Sequence, residues 1–207
     1  ENTRENIYDA FRRKETFATS GPRIKVRFFS GYNFEDSKIN DLELIQKAYA
    51  NNLSMGSTIN IEEGRSPKFL VWAIADSMGA PLQRIQIIKG WLENGEHREK
   101  VYDVACSDGL VVNSSTFRCP DNGAKVDIEN CSISESLGAS ELKTFWVDPD
   151  FLKNQRAFYY ARVLENPVCR WSTWDSIREG VKPRSDIPTT IQERAWTSPI
   201  WFEPTNS

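Results

Sequence analysis

The chain has 207 residues and sets 26 Lys+Arg against 29 Asp+Glu, a formal charge of −3, which argues against a general nucleic-acid surface. No apolar run approaches the roughly 20 residues needed to cross a bilayer as a helix. A single histidine, His97, excludes a multi-histidine metal centre made from this chain alone, so any hard cation would have to be held by carboxylates.

Asn2 and Glu5 have capping-box spacing, and Ile7, Tyr8, Ala10 and Phe11 share one face, which predicts an amphipathic helix over residues 3–14. Arg12, Arg13 and Lys14 suit the C-terminal end of its dipole. Residues 16–23 then punctuate the chain with Gly21-Pro22, where glycine opens backbone conformations that other residues avoid and proline fixes φ. Residues 24–29 alternate with period two and read as a strand. Asp41 is placed to cap a helix through about Ala50, with Leu42, Ile45 and Tyr49 on one side and Asn51-Asn52 ending it. Residues 53–66 read as loop and turns.

A near-continuous apolar run over residues 68–75 predicts a strand buried on both faces. A turn over residues 76–81 leads to a strand over 83–91. A polar hairpin tip at 93–99 puts His97 in solvent, and a strand over 100–106 follows. Residues 107–137, rich in Ser, Asn, Asp and Gly, form a long loop tied down by cysteine. Residues 142–147 and 158–164 are two further strands, 171–179 a short helix, 183–188 irregular and 193–202 a closing strand. Trp72, Trp91 and Trp146 fall at alternating strand positions and read as core. The expected fold is mainly β: an antiparallel, Ig-like β-sandwich of about seven strands, with an N-terminal helix and one or two short helices.

Four cysteines permit three pairings. Cys119 and Cys131 flank a Pro-Asp-Asn-Gly loop, which favours a bridge between them and leaves Cys106 for Cys169. Disulfides would place the protein in an oxidising compartment. Asp148-Pro149-Asp150 reads as a structural turn in preference to a calcium loop, because the EF-hand pattern is missing. Asn52-Leu53-Ser54 and Asn113-Ser114-Ser115 match the glycosylation sequon. Arg170, Trp171 and Trp174 crowd a guanidinium and two aromatics into Cys169–Asp175 and are candidates for a pocket or interface. Arg23 is a candidate for holding a carboxylate or phosphate bidentately.

The run from Glu1-Asn2-Thr3-Arg4 through Thr19-Ser20-Gly21-Pro22-Arg23-Ile24 resembles the end of the catalytic domain in a bacterial family of unknown function. That family is related to the PHP-like (CehA/McbA-type) metal-dependent hydrolases, in which a helix and a T-x-G-P strand close the metal-binding barrel. The resemblance continues through Ile85–Trp91, Val101–Ala105, Ala157–Glu165, Arg170–Asp175 and Gln192–Trp201, and so covers nearly the whole chain.

The resemblance implies a longer protein whose preceding barrel carries His and Asp ligands for a divalent metal, zinc or manganese, that activates water to attack an ester or related bond. Residues 1–23 would be the last helix and strand of that catalytic domain, and 24–207 a C-terminal β-sandwich beside the active-site mouth. Thr19, Ser20 and Arg23 would lie nearest the site, with Arg170, Trp171 and Trp174 as the sandwich's contribution. The catalytic residues and the metal would belong to the barrel, so this chain alone is expected to hold no cofactor and to be inactive. Its expected partner is the N-terminal catalytic domain, or a second copy docked on the apolar face of the first helix. No nucleic acid or membrane partner is expected. The resemblance also implies export, to the periplasm or beyond. An alternative is an independent sandwich that binds a glycan or a protein through Trp171 and Trp174.

Overall fold

The structure, a computed structural model, describes residues 2–35, 39–51 and 53–205. Helix α1 (Arg4–Arg13) leads into β1 (Phe17–Thr19), followed by β2 (Lys25–Gly31), α2 (Leu44–Asn51), β3 (Leu53–Ser54) and β4 (Thr58–Asn60). The long strands are β5 (Lys68–Ile74), β6 (Leu82–Glu93), β7 (Glu96–Cys106), β8 (Glu141–Val147) and β9 (Ala157–Glu165). After them come β10 (Val168–Cys169), α3 (Trp171–Glu179), β11 (Thr190–Ile191), β12 (Arg194–Thr197) and β13 (Ile200–Glu203).

Two sheets face one another. In the larger, β7, β6 and β9 lie side by side, and β12 and β13 run end to end along the far edge of β9. β1 pairs outside β12, and β4 outside β13. The smaller sheet has the order β3-β2-β5-β8, and β10 with β11 forms a separate ribbon. The mainly β, antiparallel sandwich expected from the sequence is therefore present, with β4–β13 as a parallel exception. The strands outnumber the expectation for two local reasons. The predicted loop at 53–66 contributes β3 and β4. The predicted closing strand breaks at Ser198-Pro199, where proline has no N–H to continue a ladder and its carbonyl accepts from Gly56 N instead (3.0 Å).

Period-two alternation assigns the apolar strands to two cores. Phe28, Phe69, Val71 and Ala73 face the larger sheet and pack with Ile85, Ile87, Tyr159, Val163 and Phe202. Phe69 is the aromatic hub, with its ring 4.7 Å from Tyr159 and 5.7 Å from Phe202. Phe29 and Leu70 point the other way and are covered by Leu44 and Ala48 of α2. β5 is thus buried on both faces, which is why its sequence is almost continuously apolar. Trp91 and Trp146 pack against the main core as expected. Trp72 does not: it shares the parity of Leu70 and lies half-buried on the outer face with the Lys143 ammonium over its ring.

Smaller departures have equally local causes. Thr3, not Asn2, caps α1, its Oγ1 accepting from Asn6 N. The hairpin tip narrows to Asn94-Gly95, both with positive φ (52° and 81°), so Glu93 pairs with Glu96 and exposed His97 sits on the strand beside the turn. Asn52, called both as a helix end and as a sequon, lies outside the described residues.

The disulfides are Cys106–Cys119 and Cys131–Cys169, not the pairing favoured by loop proximity. After β7 the chain loops out and returns beside the strand it left. Asp103 N donates to Phe117 O (2.9 Å), and the Asp103 carboxylate accepts from Cys119 N (2.7 Å). This return sets Cys119 against Cys106 and leaves Cys131 to anchor the loop to β10, just ahead of α3.

Candidate functional site

Residues 16–20 are knit to the edge of the larger sheet, with Phe17, Ala18 and Thr19 opposite Thr197, Trp196 and Ala195. β1, on the N-terminal side of the division expected at residue 23, pairs with β12 on its C-terminal side. Beyond Thr19, Ser20 exchanges backbone and side-chain hydrogen bonds with Arg194 and donates its hydroxyl to Glu193. Arg23 is exposed, and the bond it makes here is through its backbone N–H, to the Asp76 carboxylate at 2.6 Å. That bond, with a second from Met78 N, holds the Asp76 carboxyl below its usual range.

Behind this edge the end of β9 carries Glu165, which is 1% exposed. One carboxyl oxygen accepts from Ala80 N (3.3 Å), and the other has no hydrogen-bond partner. The 76–80 turn closes over it: a Cβ on Gly79 would lie 2.8 Å from Glu165 Oε1 and 3.2 Å from Pro22 Cβ. Burial, aided by the nearby charges of Glu193 and Asp76, pushes the Glu165 carboxyl up to about 7. The group therefore exchanges a proton near neutral pH, but under a closed turn where a substrate does not reach it. Ser20, Arg23, Asp76, Glu165 and Glu193 form one corner of the molecule.

A second polar cluster joins the sheets at the opposite end of β6 and β9. Lys89 Nζ donates to Asp148 Oδ2 and to Asp150 O, both at 2.7 Å. Tyr159 Oη donates to Asp148 Oδ2 (2.7 Å), and Tyr102 Oη to Asp150 Oδ2 (2.6 Å). Burial and the neighbouring carboxylates push both phenols up, so they serve as fixed donors. Lys100 also bonds Asp150 and, with Tyr102, holds that carboxyl below its usual range. The Asp-Pro-Asp segment is thus a turn pinned by two lysines, as Asp150 N donating to Asp148 Oδ1 also indicates. Sequence reasoning missed this network, although Lys89 stands at a core-facing parity between Ile87 and Trp91.

Arg170, Trp171 and Trp174 gather around α3. Trp171 is 74% exposed, Trp174 lies under the Arg178 guanidinium, and Arg170 Nε is buried without a partner. Among the described residues no hydrogen bond, ion pair or ring contact joins these three to Thr19, Ser20 or Arg23. Also among the described residues, no group of three or more His, Cys, Asp and Glu side chains is arranged to hold a metal ion. Among the described residues no helix is long and apolar enough to cross a membrane.

Facing antiparallel sheets, a disulfide-anchored loop and polar corners define a β-sandwich domain. The chain belongs to a family of proteins of unknown function, DUF3604, whose model matches residues 1–204. No curated protein matches it, and no solved structure does.

Proposed function

We propose that this chain is the C-terminal, non-catalytic portion of a metal-dependent hydrolase, packed beside the active-site mouth of a preceding barrel. The observation that carries the reading is α1. It is amphipathic and has no buried residue, with Ile7, Tyr8 and Phe11 exposed by 46%, 60% and 65%. An apolar helix face of this kind is a contact surface waiting for its cover. Next to it β1 is an edge strand of the larger sheet, so residues 4–23 offer a docking face and a strand edge together. In this reading Thr19, Ser20 and Arg23 approach the barrel's site, Arg170, Trp171 and Trp174 contribute from the sandwich, and the zinc or manganese is the barrel's own. Among the described residues no group of His, Cys, Asp and Glu side chains is arranged to hold a metal, and in this reading the steps of the chemistry belong to the barrel. Two disulfides favour an oxidising, extracytoplasmic location, the periplasm or beyond.

The test compares this chain with the longer protein, each assayed for ester hydrolysis with zinc or manganese. Hydrolysis by the longer protein alone is expected, together with slowed amide exchange over residues 4–13 only when the barrel is present. Metal-dependent turnover by this chain alone overturns the reading. So does a stable homodimer through α1 in the longer protein, which would make a second copy the occupant. The exposure of Trp171 favours a second reading, a module that binds a glycan or protein. It requires saturable binding that Trp171→Ala or Trp174→Ala abolishes.

A further inference from the structure

On the outer face of the larger sheet, where β6 begins, an open cleft of about 610 Å³ is lined by Gln83, Arg84, Cys119, Asp121, Thr190 and Gln192, among others. Its size is within the roughly 300–1,000 Å³ of small-molecule sites. Two irregularities in the ladders shape it. Leu82 faces Glu165 and Arg84 faces Leu164, so Gln83 is an extra residue in β6. Ile85 faces Ala105 and Gln86 faces Asp103, so Val104 is an extra residue in β7. Leu82 and Ile85 both enter the core, which turns the two residues between them, Gln83 and Arg84, toward the cleft. Bulges re-aim side chains in this way beside binding sites.

The lining is fixed before any ligand arrives. Gln83 is held between Asn122 Oδ1 (2.9 Å) and the Gln192 amide (2.8 Å), and Gln192 also donates to Glu165 O (3.0 Å). With its N–H groups engaged, Gln192 presents a carbonyl. Asp121 uses one oxygen for Gly123 N and keeps the other as an acceptor, and Thr190 adds a hydroxyl. The Cys106–Cys119 bridge clamps the rim. Arg84 is the exception to this satisfaction. Among the described residues its side chain makes no hydrogen bond or ion pair, and its Nε is buried without a partner. A buried guanidinium Nε–H without a partner, on a side chain that lines the cleft, is a donor that an anion entering the cleft would satisfy.

We propose that this cleft binds a hydroxylated organic monoacid of about the size of a uronic acid, with Arg84 taking the carboxylate. Thr190, Gln192 and Asp121 take the hydroxyls. The Asp121 charge disfavours a phosphate or other multiply charged anion, and the fixed Arg84 charge disfavours a neutral sugar. The site is independent of whatever covers α1, and Trp171 and Trp174 do not line it.

The test is calorimetric titration of the intact chain with D-glucuronate, D-glucose and inorganic phosphate. Saturable binding of glucuronate is expected, with glucose and phosphate weaker by on the order of tenfold or more. Arg84→Met is expected to abolish glucuronate binding while leaving the thermal midpoint unchanged or higher, because it removes an unpaired buried donor. Thr190→Val, at the rim, is expected to weaken binding severalfold with the fold intact. Failure of glucuronate to saturate overturns the proposal, as does equal binding of glucose or of phosphate. A thermal midpoint that collapses in Arg84→Met marks Arg84 as a structural residue and overturns its assigned role. Glucuronate affinity unchanged in both variants overturns the site.

Discussion

The Lys89 ammonium meets the Asp148 carboxylate at 2.7 Å with 3% and 0% of the two side chains exposed, and the pair joins the larger sheet to the end of β8 in the smaller one. A charge pair this deep costs desolvation, and what keeps it is full satisfaction: Asp148 also accepts from Tyr159 and Asp150 N, and Lys89 also reaches Asp150 O. Lys89→Met leaves Asp148 charged and short of its cation, and should cost about 3–5 kcal/mol of unfolding free energy. Adding Asp148→Asn removes the stranded charge while keeping an acceptor for Tyr159, so the double variant should recover much of the loss. Urea denaturation of the two variants checks this, and a single-variant cost below about 1 kcal/mol would mean that the pair is solvated.

Glu165 gives stability a pH dependence of opposite sign to that of a salt-bridged carboxylate. Its folded value of about 7 lies above the unfolded 4.5, so the folded state holds the proton more tightly. The favourable contribution is complete below pH 4.5, falls as pH rises toward 7, and is lost above it. Glu165→Gln keeps an acceptor for Ala80 N without the charge. Its advantage over the native chain should therefore grow across pH 4.5–7 and level off at about 1–3 kcal/mol. Parallel stability profiles for the two proteins would show that the carboxyl is not held neutral by the fold.

What the sequence disclosed and what it concealed divide along the range of the interactions. Strand positions were legible wherever alternation decides them, as in residues 24–29 and 68–75, because burial on one or both faces is written locally. The α3 boundaries were legible for the same reason. The Lys89 network was not, since its partner is 59 residues away and only the tertiary fold brings them together. Arg84 was hidden by a bulge, which shifts parity by one residue without changing composition. The disulfide pairing failed because closeness in sequence stood in for closeness in space, while backbone bonds between Asp103 and the 117–119 segment returned the chain to β7. The candidate residues divide similarly. Ser20 and Arg23 lie at the corner beside Glu165, but nothing local foretold that Glu165 would be buried beneath Gly79.

Peptide mapping without reduction should recover Cys106 linked to Cys119 and Cys131 linked to Cys169. The second bridge spans 38 residues and should contribute about 2–4 kcal/mol in the chain-entropy account. Cys131→Ser with Cys169→Ser should lower the denaturation midpoint accordingly, and should speed proteolysis within residues 125–134 before the sheets unfold. Recovery of a Cys119–Cys131 peptide from native protein would refute the arrangement of the loop.

The position of α1 depends on Gly56. This glycine has φ +90°, and a Cβ there would fall 2.4 Å from Lys14 O and 2.5 Å from Arg13 O, the last carbonyls of the helix. Those atoms are backbone and do not swing aside as a side-chain tip would. Lys14 is itself committed to the left-handed cap, with its N–H on Ala10 O and Phe11 O. Gly56→Ala must therefore displace the end of α1 or strain the turn that bonds Pro199 O. The expected cost is about 1–3 kcal/mol. Because no residue of α1 is buried, the sheets should survive the change, and the damage should appear as faster amide exchange at Lys14 and Glu15. If α1 docks a neighbouring domain, the same substitution should weaken that association far more than it lowers the sandwich's own thermal midpoint. Native exchange rates and native stability in Gly56→Ala would show that the helix end does not rest on this residue.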